Sequence, residues 1–420
     1  MTSDPQVDLV FAHNLARYIA TGVDPNDAQR LIARIDRWEN WCRVWSEEAA
    51  SHEALAKEAT HHCRALTAAE AYVRAAIYYH YGKHLFAGHV DEWRAAHDSV
   101  VRCYAAGAPD LNPPIERLTF SYRGVDIPGW LRKPRRCGRP PVAILLPGLD
   151  ACKEELHAWA AAFVARGVAA LTIDGPGQGE TSFHLPTTHE WGRVVSAVID
   201  ALERRDDLDA RRIGVVGQSL GAIYAPLAAA GEPRIKACIA NCGPYDAGRL
   251  LPKLPPLHQE VFRQGAHART AAEAQRVADK ITLVGAAERI TCPLLVVVGG
   301  DDKLVPPSEG ERLAKTASGP TELVVYPEGN HVCFNISYKF RPLTADWMAE
   351  RLGARQAGLG SRPGNLTDGV ILERHSEVSD ASLEGCAPTV RDSAFFARAR
   401  QNDGDRAWQA VESFEITMKR

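Results

Sequence analysis

The sequence lacks the features that mark membrane, secreted or nucleic-acid-binding proteins. Its 420 residues contain no apolar run near the roughly 20 residues that a membrane span needs. The first twenty residues show no basic start followed by an apolar core, so we expect no secretion signal and a cytoplasmic protein. The formal net charge of −3 is small and favours neither nucleic acid nor an anionic membrane surface as a partner.

Paired cysteine motifs are absent as well. The ten cysteines are scattered, and none forms a CxxC pair. Without an export signal we expect them to be reduced thiols. His61, His62 and Cys63 are consecutive, but adjacent side chains diverge around a helix and do not converge on one ion. We therefore predict neither a metal site nor a cofactor.

The sequence pattern changes at a stretch rich in proline and glycine, residues 105–114. Residues 1–112 have helical patterns, so we predict a helical N-terminal domain. Residues 113–352 alternate short apolar runs with helical segments, which predicts an α/β domain with a mostly parallel central sheet. The polar remainder, residues 353–420, has no strong periodicity, and we expect a disordered extension.

Short apolar runs define the strands of the predicted sheet. A hairpin is expected at 118–122 and 127–131, and buried strands are expected at 142–147, 168–174, 213–216, 235–241, 294–300 and 322–327. Their spacing is regular except for a helix-prone insertion at about 246–290. Such an insertion would lie as a cap over the ends of the strands, where ligands bind in open α/β sheets.

One serine lies between two glycines in the segment GQSLG, residues 217–221. A strand, this G-x-S-x-G pattern and a helix together form the nucleophile elbow, in which Ser219 takes a strained backbone conformation. Gly217 and Gly221 leave space that a Cβ atom would otherwise fill. A tight turn is the alternative interpretation, but the flanking strand and helix favour a nucleophile.

A serine nucleophile needs a base and an acid that orients the base. His331 follows the last predicted strand, and an aspartate pair follows the strand before it. This gives the chain order serine, acid, histidine that accompanies the elbow. Asp301 and Asp302 compete for the acid role, and the spacing G-x-x-D-x-x-V-P selects Asp302.

The developing oxyanion needs two backbone N–H donors. One donor is expected at Leu220, the residue after the nucleophile, and the other at Leu149 or Asp150 in the loop after an early strand. Gly148 would let that loop approach the serine. Cys152, close by in the sequence, is a second candidate nucleophile, for which packing of a small side chain is the alternative.

These residues together resemble the α/β-hydrolase family. Four motifs carry the resemblance: GLDACKEE (148–155), DGPGQGE (174–180), GQSLGA (217–222) and EGNHVCFN (328–335). They are similar to a branch that includes a nicotine-degrading hydrolase of carbon–carbon bonds next to ketones, polyketide-shortening hydrolases and esterases related to the fermentation–respiration switch protein. The resemblance implies an α/β-hydrolase fold, the triad Ser219, Asp302 and His331, and a homodimer. It also implies a lid made of the N-terminal helices and the insertion.

Substrate-binding residues are less well defined by the pattern. The nicotine-degrading hydrolase has an acidic residue shortly after a central strand, where this chain offers Asp246 and no glutamate before Glu260. Tyr78, Tyr81 and His84 lie at helical spacing on one face and are candidates for contact with the substrate. The alternative is that this face packs against the α/β domain.

We therefore predict a serine hydrolase of a small, aromatic or polyketide-like molecule, favoured as a hydrolase of a carbon–carbon bond next to a ketone. A carboxylesterase or amidase would use the same triad on a different leaving group. A peptidase of the prolyl-oligopeptidase type usually precedes this domain with a β-propeller, whereas the N-terminus here is helical. A non-catalytic binding protein of the same fold would not need a complete triad.

Overall fold

The computed structural model describes residues 4–135 and 138–354. Its N-terminal part contains the helices α1 (Pro5–Thr21), α2 (Pro25–Arg34), α3 (Trp41–His61), α4 (Ala65–Lys83) and α5 (Val90–Gly107). Helix α1 begins where the Asp4 side chain accepts a hydrogen bond from the Gln6 N–H, and it ends at Gly22, whose φ is 119°. Capping at both ends therefore defines this helix.

Eight strands form a single sheet. They are β1 (Ile115–Tyr122), β2 (Val125–Arg132), β3 (Val142–Leu146), β4 (Ala169–Ile173), β5 (Ile213–Gln218), β6 (Ile235–Asn241), β7 (Leu294–Gly299) and β8 (Thr321–Tyr326). The spatial order is β1-β2-β4-β3-β5-β6-β7-β8. Strand β2 pairs antiparallel with β1 and β4, and every other pairing is parallel. The predicted fold class is therefore confirmed.

Helices follow or separate the strands. They are α6 (His157–Val164), α7 (Trp191–Leu202), α8 (Gly221–Gly231), α9 (Ala247–Leu250), α10 (Pro256–Gly265), α11 (Ala271–Ala278), α12 (Pro307–Thr316) and α13 (Ser337–Arg351). Helices α9, α10 and α11 occupy the insertion that the sequence indicates after β6. Among the described residues, no helix is both long and apolar enough to cross a membrane.

The core of the sheet is packed on both faces, as alternating side chains of β3 show. Ile144 and Leu146 join a buried cluster that includes residues of α7 and α8. Ala143 and Leu145 join a second cluster that includes residues of α6 and α13. All four side chains are fully buried. Helices on both faces explain why the parallel strands are continuously apolar.

The N-terminal helices have an aromatic core of their own, which extends into the α/β part. Trp41 and Trp45 are fully buried in it, and Trp130 of β2 and Cys152 belong to the same cluster. The helical part and the sheet are thus joined by continuous packing. Apart from Gly353 and Ala354, the extension expected at 353–420 lies outside the described residues.

Candidate active site

The turn between β5 and α8 holds Ser219 in a conformation that few side chains adopt. Its φ is 53°, in the left-handed region, and its N–H donates to the Asn241 carbonyl at 2.9 Å. A Cβ at Gly217 would lie 1.9 Å from the Gly221 carbonyl oxygen, and one at Gly221 would lie 2.3 Å from the Leu146 carbonyl oxygen. Because only glycine fits at both positions, the sharp turn presents the serine hydroxyl above the sheet.

The structure brings the three residues of the predicted triad together. Ser219 Oγ lies 2.8 Å from His331 Nε2, and His331 Nδ1 lies 2.7 Å from Asp302 Oδ2. Each of the three follows the carboxyl end of a parallel strand, so the sheet alone places them at one edge. The arrangement connects a nucleophile, a base and an orienting acid by two hydrogen bonds.

Backbone amides hold the acid in place. Asp302 Oδ1 accepts hydrogen bonds from the N–H groups of Leu304 at 2.8 Å and Val305 at 2.9 Å. Burial raises the pKa of the Asp302 carboxyl, but His331 and these amides outweigh it and lower the pKa below its ordinary value. Asp302 therefore stays ionised beside the imidazole. Asp301 instead points an exposed side chain at Lys303.

The loop after β3 passes close to the serine. A Cβ at Gly148 would lie 3.1 Å from Ser219 Cβ and 3.5 Å from its Oγ. Gln178, within the DGPGQGE motif, donates from Nε2 to the Pro147 carbonyl at 2.6 Å and so fixes the loop. Leu149 and Leu220 line the same cavity as Ser219. Their amides stay the predicted oxyanion donors, and helix α8 begins directly after Leu220.

A cavity of about 860 Å³, counting the solvent at its mouth, opens above the triad. The cap insertion supplies an apolar wall of Leu250, Leu251, Leu254 and Phe262. Helix α1 supplies a polar wall of His13, Asn14 and Arg17. A site with one apolar wall and a few convergent polar groups suits a small organic molecule.

Arg17 connects helix α1 to the loop that follows β3. Its Nε and Nη2 each donate to a carboxylate oxygen of Glu155 at 2.7 Å, and its Nη1 donates to Asp150 Oδ1 at 3.1 Å. Burial raises the pKa of both carboxyls, but the guanidinium outweighs it and holds the pKa of each well below its ordinary value. The Asp150 side chain is thus committed to an ion pair, and only its backbone N–H remains a candidate oxyanion donor.

Of the aromatic candidates on α4, Tyr78 and Tyr81 do not line this cavity. The Tyr78 hydroxyl donates to Asp27, and the Tyr81 hydroxyl contacts Thr21. Both rings pack against Trp45 in the core of the helical part. The structure therefore favours packing over substrate contact. Helical spacing shows that the residues share one face of the helix, but it does not show what that face contacts.

His84 and Asp246 also differ from their expected positions. His84 is fully buried at the end of α4, outside the cavity lining, and its Nε2 lies 2.9 Å from Asp150 Oδ2. Asp246 is the N-cap of α9, where it accepts from the Arg249 N–H at 3.0 Å and from Thr282 Oγ1 at 3.2 Å. Asp246 does not line the cavity. Its carboxylate caps the helix instead.

Two further interpretations concern sulfur and metal ligands. Cys152 is buried, and its Sγ lies 3.4 Å from His80 Nδ1. Burial, as the largest effect, raises the pKa of this thiol well above its ordinary value, so packing describes it better than nucleophilic activity.

Among the described residues, Asp27, Glu48 and His52 are the group close enough to share an ion, with ligand atoms within 4.8 Å of one another. They lie in the helical part, where arginines and Tyr78 already contact the two carboxylates.

Two contributors to the cavity were not predicted from the sequence: the polar residues of α1 and His258 of α10. Asn14 and Arg17 lie at positions that continue the apolar stripe of Val7 and Val10. Polar residues on the buried face of an amphipathic helix are unusual unless they have partners. That break in the stripe is the signal that would have identified them. His258 has no comparable signal in the sequence.

Comparison with known proteins finds hydrolases that are similar over most of the chain. A model of the FrsA-like esterases matches residues 31–251, and one of the prolyl oligopeptidase family matches residues 155–355. The 2,6-dihydropseudooxynicotine hydrolase of Paenarthrobacter nicotinovorans is 31% identical over 349 residues, covering 81% of this chain and 92% of that protein. The 20-hydroxy-prefusarin hydrolase FUS2 of Gibberella moniliformis is 35% identical over 222 residues, covering 50% of this chain and 53% of that protein.

A solved structure is also similar over most of the chain. The crystal structure of the 2,6-dihydroxy-pseudo-oxynicotine hydrolase gives a TM-score of 0.75 at 30% identity and covers 81% of this chain and 96% of its own. Fold and similarity together define the class, a hydrolase with the α/β-hydrolase fold. Within that class the chain belongs to the FrsA-like esterase family.

Proposed function

We propose that this protein is a serine hydrolase that cleaves a carbon–carbon bond next to a ketone in a small, aromatic or polyketide-like substrate. The observation that carries the proposal is the continuous contact of Ser219, His331 and Asp302 beneath the cavity. In this proposal residues 1–112 and the insertion at 246–290 act as a lid. The walls that α1 and the cap insertion give the cavity support that role.

The proposed reaction is acyl transfer to water. His331 Nε2 takes the proton of Ser219 while Oγ attacks the carbonyl carbon, and the amide of Leu220 with that of Leu149 or Asp150 binds the oxyanion. The bond to the leaving group breaks, and His331 returns the proton to that group. Water then loses a proton to His331 and attacks the acyl-enzyme. The bond from the acyl carbon to Ser219 Oγ breaks, His331 returns the proton to Oγ, and a carboxylic acid is released.

Two observations bear on which bond is broken. The similar protein that covers most of the chain is named a 2,6-dihydropseudooxynicotine hydrolase, and FUS2 is named a 20-hydroxy-prefusarin hydrolase, so both relatives support hydrolysis of a small organic molecule, and the first supports a ketonic one. The family match is to an esterase, and an ester or amide would use the same triad, so carboxylesterase activity is the second candidate. The chain spans about half the length of several fungal relatives that it matches, so their substrates are weaker guides.

The test is a panel of aryl 1,3-diketones and aryl esters that share one acyl group. We expect the diketones to be cleaved with the higher kcat/KM, and Ser219→Ala to abolish cleavage of both and labelling by a fluorophosphonate. Ser308→Ala, an exposed position on α12, serves as the matched control and should leave both unchanged. Efficient ester cleavage with inert diketones would instead identify a carboxylesterase, and labelling that survives Ser219→Ala would contradict the nucleophile.

The family resemblance also implies a homodimer, and we propose one acting in the cytoplasm without a cofactor. Multi-angle light scattering of the purified protein tests the dimer. A monomer at micromolar concentration would contradict it.

A further inference from the structure

One histidine in the cavity has no role in the triad. His258 lies on α10 of the cap insertion, is only 8% exposed, and lines the same cavity as Ser219 and His331. Among the described residues, its Nδ1 has no hydrogen-bond partner. Leaving a buried polar atom unpaired costs about 1–3 kcal/mol. The side chain of His258 also lines the cavity, so it can contact a bound substrate.

The surroundings of His258 keep its imidazole neutral. Burial, as the largest effect, together with nearby His84, His331 and His13 lowers its pKa to about 4. Asp150 acts in the opposite direction, but its carboxylate is already held by Arg17 and His84. At neutral pH one ring nitrogen therefore carries a proton to donate, and the other has a lone pair.

Carbon–carbon cleavage makes a demand that ester cleavage does not. When the bond to the leaving group breaks, its electron pair forms the enolate of the departing ketone, and the charge collects on the enolate oxygen. An alkoxide takes its proton directly from His331 and needs no second donor. Asp246, the acidic residue that the sequence offers after the central strand, caps α9 outside the cavity and so does not meet this demand.

We propose that His258 donates a hydrogen bond from its neutral imidazole to the leaving-group ketone, and so stabilises the enolate oxygen during cleavage. The inference rests on the proposed carbon–carbon hydrolase and deepens it. A neutral imidazole polarises a carbonyl without bringing a second buried charge into the cavity. His331, which holds the proton taken from Ser219, then protonates the enolate carbon, so no further proton donor is required.

The test compares His258→Phe, which removes the donor, with His258→Gln, which keeps an N–H group on a side chain of similar reach. We expect His258→Phe to lower kcat for the aryl 1,3-diketones by about 100-fold or more, the usual loss of one oxyanion donor. The matched aryl esters should lose less than about tenfold, and His258→Gln should recover part of the diketone rate. Glu260→Gln, on the same helix and outside the cavity, is the control for changes to α10.

Two readouts separate this inference from its alternatives. The rate of fluorophosphonate labelling should be the same in wild type and His258→Phe, since the triad is untouched, whereas a disturbed fold would slow it. If the wild type cleaves diketones and His258→Phe impairs diketones and esters equally, the role of His258 is wrong and the proposed function stands. If the wild type cleaves only esters, the proposed function itself fails.

Discussion

Asp301 and Asp302 are neighbours in the sequence but lie in very different environments. Asp302 is buried and bound to His331 and two amides, whereas Asp301 is exposed and paired with Lys303. We expect Asp302→Asn to lower kcat by about 10⁴-fold, because an amide no longer holds the imidazole in the productive tautomer. Asp301→Asn is the matched control, since its carboxylate does not contact the triad. Steady-state kinetics on one aryl ester measures both, and a larger loss at Asp301 would contradict the assignment.

Local sequence is informative about single residues only where backbone geometry restricts the choice. Gly217 and Gly221 are required because a Cβ would meet a carbonyl oxygen at less than 2.5 Å, and that steric requirement appears in the sequence as a motif. No such steric requirement applies at Tyr78 or Asp246, so their surroundings could not be predicted from the sequence. A tyrosine at helical spacing fits a core as well as a pocket, and an aspartate before a helix caps it as readily as it binds a ligand.

At the scale of elements, helix α1 and the loop after β3 depend on each other through Arg17. Its guanidinium is bound to Asp150 and Glu155 on the loop that also carries Leu149. We expect Arg17→Lys to fold but to lower kcat by about 100-fold, because an ammonium cannot bridge two carboxylates in the same geometry and the loop shifts. Arg43→Lys, in an exposed ion pair on α3, should change neither kcat nor the melting temperature.

Arg17→Met distinguishes positioning from simple stability. It would leave two buried carboxylates without their cation, and breaking such a pair costs about 3–5 kcal/mol, so calorimetry should show a large fall in melting temperature. A variant Arg17→Lys that melts like wild type and keeps full kcat would show that the ion pair does not position the loop.

Strand locations were predicted well and strand ends less well. Buried runs such as 294–300 are continuous apolar segments, which the parallel sheet requires. Strand β1 begins at Ile115, three residues before the predicted start at Leu118, because Ile115 pairs with Arg132 of β2. Pairing with a partner strand determines that end, and a single segment of sequence does not show its partner.

At the scale of the whole molecule, the sequence divided the chain near residues 105–114, whereas packing continues across that point. Helix α4 meets the α/β part through a buried ionisable group whose partner lies far away in sequence, since His80 contacts Glu155, 75 residues further along the chain. Contacts of that kind leave no periodic trace. The resemblance motif GLDACKEE did identify the loop, but not the helical residues that hold it.

His97 of α5 shows how such burial makes stability depend on pH. It is fully buried, and neither ring nitrogen has a partner among the described residues. Burial, followed by the charges of Lys83 and Lys153, holds its pKa well below the ordinary value of 6.5. The unfolded chain therefore binds a proton below pH 6.5 that the folded protein does not bind. His97 therefore does not change the stability above that pH, and the folded protein loses stability progressively as the pH falls from there toward the folded-state pKa.

Replacing His97 should therefore flatten the acid limb of the stability curve. Below the unfolded-state pKa, each such group adds about 1.4 kcal/mol per pH unit to the slope of the unfolding free energy against pH. The slope between pH 6 and pH 5 should therefore be lower by that amount in His97→Leu. Urea unfolding at pH 7, 6 and 5 measures this slope. Val100→Ala, in the same buried helix face, removes packing without a titratable group and should shift the three values equally. An unchanged slope in His97→Leu would mean that His97 is protonated within the folded protein.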